Sequence, residues 1–257
     1  MTTQPPGTPA PPTALSLEGE HDLSALCALA DLSQLTALSL SSCDLSDLSL
    51  LAGLPQLTTL NVSHCPQVVS LSPLAGLHAL TILHLSSCPQ LSDLHPLTEL
   101  AQLTILTLRS CEQVGDLDPL AGLTQLTTLD LWCCPQLSDL SPLAGLTWLA
   151  ELSLFSCPQV SDLTPLAGLT RLTLLALERC EQVSDLSPLA GLTRLTRLNL
   201  SYCQQVSDLR PLAGLAQLSQ LALSGNGRRI RARRLRALAG RAHYYPIDQR
   251  EPGGNEL

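Results

Sequence analysis

The sequence predicts an α/β repeat solenoid, and three observations carry that prediction. One phrase recurs with a nearly fixed period: Cys43, Cys65, Cys88, Cys111, Cys134, Cys157, Cys180 and Cys203 follow one another at 22 residues once and at 23 six times, with Asn226 in the next place. Apolar residues alternate within each phrase, as in Leu129 and Leu131, which sends both leucines to one side of a strand and their neighbours to the other. The 257 residues include only two Trp, three Tyr, one Phe and one Met, and no Lys, so leucine must make the core.

Residues 1–14, rich in Pro and Thr, predict a disordered leader. They lack the charged start and apolar run of a secretory signal, and no stretch of about 18 uninterrupted apolar residues occurs. The expectation is a cytoplasmic protein with no membrane contact. Residues 15–34 predict a capping repeat: Leu15, Leu17, Leu26, Leu29 and Leu32 keep the pattern, while Glu20 or His21 stands where cysteine would. Residues 35–227 predict the array proper, about nine units of 22–23 residues. Each strand phrase L-x-x-L-x-L-x-x-C leads into a segment such as Pro135-Gln136-Leu137-Ser138-Asp139-Leu140-Ser141-Pro142-Leu143-Ala144-Gly145-Leu146. The prolines at 73, 96, 119, 142, 165, 188 and 211 stop an ordinary helix after one turn and favour short 3₁₀ or irregular turns. The glycines at 53, 76, 122, 145, 168, 191 and 214 are assigned the bend back to the next strand. Leu50, Ser70 and Glu99 depart from the consensus and should loosen the turns locally. Residues 228–243 predict a basic C-terminal cap and 244–257 a tail. No unit can bury its apolar face alone, so neighbours complete one another.

The phrase Ser138-Asp139-Leu140-Ser141-Pro142-Leu143-Ala144-Gly145-Leu146-Thr147 resembles the bacterial internalin-type repeat, and the cysteine followed two residues later by an apolar one resembles the cysteine-containing subtype. Over roughly residues 15–240 the chain is thus identified as a leucine-rich repeat protein, internalin-like, with cysteine at the Asn-ladder position. The resemblance implies a right-handed curved coil with a parallel β-sheet on the concave face and short 3₁₀ or irregular turns on the convex face. It also implies, with the Arg-only composition, a bacterial source. It implies no particular ligand.

Charge is uneven. Residues 1–227 hold 6 Arg and 19 acids, residues 228–257 hold 8 Arg and 3 acids, and the net is −8. An acidic body repels nucleic acid and anionic membrane. The run Gly227–Arg236 carries six Arg but has only Tyr244 and Tyr245 nearby for base stacking, so it reads as a solvated cap, and nucleic acid is disfavoured as a partner.

Three ladders invite chemistry. Eight cysteines stacked at the strand spacing of about 4.8 Å point the same way, which disfavours bridges; they read, with Asn226, as buried structural donors. Cys133 is the exception, at the rim. Asp47, Asp93, Asp116, Asp139, Asp162, Asp185 and Asp208 read as turn caps rather than a cation row. His64 and His84 are too few for a metal site. With no phosphate loop, nucleophile elbow or CxxC pair, no catalytic residue, metal or cofactor is expected, and the chain reads as a non-enzyme.

Function then falls to the residues between and beside the strand leucines, which face the concave side. Early rungs are small and polar (Ala37, Ser39, Ser41; Thr59, Asn61, Ser63). Later ones are not, and Trp132 and Phe155 take equivalent places on neighbouring rungs. Exposed aromatics and Arg are the usual anchors of protein interfaces. The candidate contact patch is centred on Trp132 and Phe155 and ringed by Arg109, Asp130, Glu151, Glu178, Arg179, Arg197 and Tyr202. The expected role is a monomeric protein–protein interaction scaffold; a sensing or regulatory domain of a larger assembly and a delivered effector are the alternatives.

Overall fold

The computed structural model describes residues 13–19, 34–46 and 48–226, and the backbone of 243–244. Asp47, most of the capping repeat drawn at 15–34, and the Arg-rich run lie outside the described residues.

Eleven strands pair in strict chain order in one open parallel sheet: β1 Ala14–Glu18, β2 Ala37–Ser41, β3 Thr59–Ser63, β4 Ile82–Ser86, β5 Ile105–Arg109, β6 Thr128–Asp130, β7 Glu151–Ser153, β8 Leu174–Ala176, β9 Arg197–Asn199, β10 Gln220–Ala222 and β11 His243–Tyr244. Equivalent residues of successive repeats pair, Leu83 with Leu106 and Leu106 with Leu129, so each leucine row runs unbroken through the core. The strands bury alternate residues: in β4, Leu83 and Leu85 are sealed while Ile82, His84 and Ser86 stay half-buried on the other face. Between β2 and β10 each return passes through a short 3₁₀ turn, and from Ser72–Leu74 onward Pro stands at its start, as in Ser141–Gly145. The result is the right-handed curved solenoid, concave on the sheet side and turned on the other. Among the described residues no helix is long and apolar enough to cross a membrane.

The left-handed backbone recurs at one fixed place in the repeat, mostly at residues other than glycine. The residue before each ladder cysteine has positive φ: Ser42, His64, Ser87, Ser110, Cys133, Ser156, Arg179 and Tyr202 lie between 53° and 60°. Gly19 and Gly225, at 71° and 72°, extend the row at both ends. Such a conformation is unfavourable for a residue with Cβ. The N–H of each residue offsets this by continuing the ladder, Ser110 donating to the Trp132 carbonyl at 2.7 Å and Cys133 to that of Phe155 at 2.8 Å. The turn also aims the next residue, the cysteine, into the core.

The convex glycines, assigned the bend from sequence, do not carry it by a left-handed φ; none of them has positive φ. The 3₁₀ bonds bring the chain round instead, Leu143 N–H to Leu140 O at 2.9 Å and Leu146 N–H to Leu143 O at 3.0 Å. At Gly191 a Cβ would meet nothing within 4 Å. Gly191→Ala is therefore expected to stabilise the protein by about 0.4–1 kcal/mol through the unfolded chain. Urea unfolding checks this, and a loss of stability would mean that glycine is required there after all.

The eight cysteines are free and buried. Thiols in the second half donate across the rungs to the carbonyl of the preceding repeat's strand leucine, Cys134 to Leu108 O at 3.2 Å, Cys180 to Leu154 O at 3.0 Å and Cys203 to Leu177 O at 2.9 Å. Asn226 makes the same bond to Leu200 O at 2.7 Å. In the first half the thiol leans to its own rung, Cys65 lying 3.3 Å from Ser63 O and 3.9 Å from Leu40 O. Burial pushes the Cys111 thiol up to about 11 and those of Cys88, Cys157 and Cys203 up to about 12. At pH 8.5 a thiol titrating near 12 holds roughly three orders of magnitude less thiolate than an ordinary cysteine. In native iodoacetamide labelling mapped by mass spectrometry, half-exposed Cys133 is expected to react while these ladder cysteines stay protected until denaturant is added. Fast native alkylation of Cys157 would contradict a closed core.

The aspartates cap the turns. Asp93, Asp116, Asp139, Asp162 and Asp185 each accept the N–H two residues on at 2.8 Å, and Asp208 does so at 3.0 Å. Ser70 takes the role in its repeat, accepting the Ser72 N–H at 3.2 Å. Hydrogen bonds from the side chain and N–H of Ser141, Thr164 and Ser187 hold Asp139, Asp162 and Asp185 below the usual carboxylate range. That contribution is present above the ordinary carboxylate pKa and is lost as pH falls through the depressed one. Among the described residues no three His, Cys, Asp or Glu converge to hold a metal ion.

Candidate partner-binding face

The concave face changes character at β5. The row that follows the second strand leucine runs Ser41, Ser63 and Ser86, then Arg109, Trp132, Phe155 and Glu178. Small side chains give way to bulky ones within one rung, which makes a step. Strand length changes there too, from the five residues of β5 to the three of β6. In β6 the Asp130 carboxylate accepts the Trp132 N–H at 3.1 Å, drawing that amide away from the sheet ladder.

The step is a stack of side chains. Asp130 Oδ2 holds Arg109 Nε at 2.6 Å, the guanidinium lies over Trp132 at 5.4 Å from the ring centroid, and Phe155 meets Trp132 edge-to-face at 5.2 Å and 77°. Both rings are half-buried rather than exposed, because guanidinium and rings cover one another. Trp132 Nε1 is sealed from solvent without a hydrogen-bond partner. Such a pair contributes about 0.5–1.5 kcal/mol beyond its area.

The remaining patch residues form separate groups further along. Glu178 Oε2 accepts Asn199 Nδ2 at 2.8 Å, and Asn199 Oδ1 accepts the Ser201 N–H at 3.0 Å, repeating the device of Asp130. Arg179 sits over Tyr202 at 5.1 Å. Gly225 makes room for that ring, since a Cβ there would lie 2.3 Å from it. Glu151 and Arg197 pair at 3.6 Å past Leu174, both about half exposed, a contact worth little in stability.

Sequence reasoning passed over three features. Asn199 occupies the Asp130 position three repeats on, and the shared register was the signal for it. Trp148 is 49% exposed on the flank, with the Arg171 guanidinium 3.6 Å from its ring centroid; the two stand one 23-residue repeat apart. The third is a pocket of about 430 Å³ on the small-residue side of the step, lined by Asn61, His64, His84, Arg109 and Trp132 with several serines. In it His84 Nδ1 lies 2.8 Å from Thr107 Oγ1. Burial, then the charge of Arg109, lowers the His84 pKa, and Asp130 opposes them.

The family description for leucine-rich repeats in two copies matches residues 33–76 and 101–145. The crystal structure of internalin C2 from Listeria monocytogenes is similar at 37% identity, over 76% of this chain and 83% of that one, with a TM-score of 0.68. The internalin InlF from the same organism is similar at 26% identity over 91% of this chain and 82% of its own, with a TM-score of 0.60. A chain of the mouse RP105/MD-1 complex is similar at 25% identity over 82% of this chain but 38% of that one, with a TM-score of 0.63. Among curated proteins no sequence matches the chain significantly.

Proposed function

Because the chain belongs to the internalin-like leucine-rich repeat proteins, we propose that it is a non-catalytic scaffold that binds another protein on the concave face of the solenoid. The observation that carries this reading is the step itself. Trp132, Phe155 and Arg109 are stacked on the face away from the leucine core, where packing does not require large side chains. Aromatics and Arg held rigidly on an open face are the usual anchors of an interface, because little side-chain freedom remains to be lost on binding. The groups at Glu178, Arg179, Arg197 and Tyr202 continue that face and supply polar contacts around the anchors. The similar chain from the mouse RP105/MD-1 structure is part of a complex, which accords with the reading.

The test compares capture of partners by three folded forms: the intact chain, the double variant Trp132→Ser, Phe155→Ser, and the flank variant Trp148→Ser. A protein retained by the intact chain and by Trp148→Ser but lost with the double variant supports concave binding. Equal capture by all three forms removes the concave face as the site.

A further inference from the structure

We propose that the pocket beside the step is a receptor for one carboxylate, supplied by an acidic side chain of the bound protein. Only the source of that carboxylate rests on the concave-face reading above; the chemistry of the pocket stands apart from it.

Arg109 is set up as a fork. Asp130 fixes its Nε at 2.6 Å and Trp132 supports its guanidinium plane at 5.4 Å, so its direction is determined before any ligand arrives. Its Nη nitrogens make no hydrogen bond or ion pair among the described residues, and the side chain is 50% exposed. An oriented guanidinium with two open N–H edges suits a planar carboxylate, which it engages in two parallel bonds. Asp130 does not compete from below, since one of its oxygens holds Arg109 and the other the Trp132 N–H.

The rest of the lining includes several hydroxyls and two imidazoles. Ser86, directly opposite Arg109 in the sheet register, contributes a hydroxyl, as do Ser87 and Ser110. His84 is oriented by Thr107 through Nδ1, which leaves Nε2 as its second ring nitrogen. No acidic side chain lines the pocket.

The charge balance selects a monoanion. Arg109 and Asp130 cancel, so an incoming carboxylate is compensated by a proton taken up on His84. That histidine is faced by Arg109 from β5, Asp130 from β6 and His64 just past β3, and burial, then Arg109, lowers its pKa. A negative charge beside it reverses the second influence. A phosphate dianion brings a second charge that one proton on His84 does not balance.

The experiment titrates the full-length protein with N-acetyl-glutamate N-methylamide, whose only charge is the side-chain carboxylate, and follows the His84 ring by NMR. The glutamine analogue and inorganic phosphate are the comparisons. The expected result is a saturable shift with the glutamate probe alone, tightening by up to about tenfold per pH unit as pH falls from about 7 towards 5.5, the limit for uptake of one proton. Arg109→Gln is expected to weaken the probe about tenfold or more, while His84→Gln, titrated by calorimetry beside the parent protein because the reporting ring is gone, keeps binding and loses the pH dependence. An equal response to the glutamine analogue, no saturable response, or tighter binding of phosphate would each overturn the proposal. The probe needs no partner protein, so its failure would leave the scaffold reading intact, and loss of that reading would leave a positive titration standing.

Discussion

Truncating Leu152 to Ala is expected to lower the unfolding free energy by about 3 kcal/mol, inside the range of about 2–5 for a buried leucine. Leu152 is fully buried in β7 and is stacked between Leu129 and Leu175 of the neighbouring strands. In a stacked array each unit is stabilised only by its neighbours, so one cavity at the centre weakens two interfaces. Leu221 provides the comparison. It is 4% exposed in β10, close to the end of the array. Leu221→Ala is expected to cost clearly less, since the end of the array can fray without separating the rest. Urea unfolding of both variants decides the matter. The central variant should also show a smaller denaturant slope if its two halves begin to unfold separately. Equal costs with unchanged slopes would mean that the solenoid unfolds as one indivisible unit.

The same nearest-neighbour logic explains what the sequence made legible. The leucine rows, the capping aspartates and the cysteine positions repeat at one spacing, and repetition turns a weak local pattern into a strong one. The left-handed row is equally periodic, but Ser42, His64, Arg179 and Tyr202 share no chemistry that announces positive φ. The glycines that suggest such a bend stand in the convex phrase, where 3₁₀ hydrogen bonds already provide it. A row of hydroxyls was missed for a similar reason. Thr58, Thr81, Thr104 and Thr127 each donate to the carbonyl of the equivalent residue one repeat earlier, at 3.0 to 3.1 Å. Threonine in a strand phrase reads as ordinary strand composition, so a bonded column is not distinguished from a preference.

The candidate site was legible only in part. Trp132 and Phe155 could be placed on adjacent rungs by counting, and Arg109 one rung before them. Their mutual burial could not, because it depends on which way each side chain turns. The pocket depends on a contrast along the row after the second strand leucine, serines up to β4 and large residues from β5, and on cross-strand contacts such as His84 with Thr107.

Removing the Asp130 carboxylate is expected to have the largest effect of any single change on the concave face. Asp130 is 13% exposed at its side chain, holds Arg109 through one oxygen and satisfies the Trp132 amide through the other. Asp130→Ala leaves that amide without its partner, which costs about 1–3 kcal/mol, and frees the guanidinium from its fixed direction. In a Trp148→Phe background, Trp132 fluorescence should shift to the red as Arg109 leaves the ring and water reaches it. His84 provides a second reading with a definite sign. Its pKa already lies below its ordinary value near 6.5, and Asp130 is the group opposing that shift. Without Asp130 the pKa falls further. The native protein then binds fewer protons than the unfolded chain over a wider interval below 6.5, so stability rises with pH across that interval and is lost on acidification. Taking the variant from about pH 7 to about pH 5 should therefore cost it more stability than the same change costs the parent protein. An unchanged emission maximum together with an unchanged His84 titration would show that the stack is held by packing alone, with the carboxylate contributing nothing to its order.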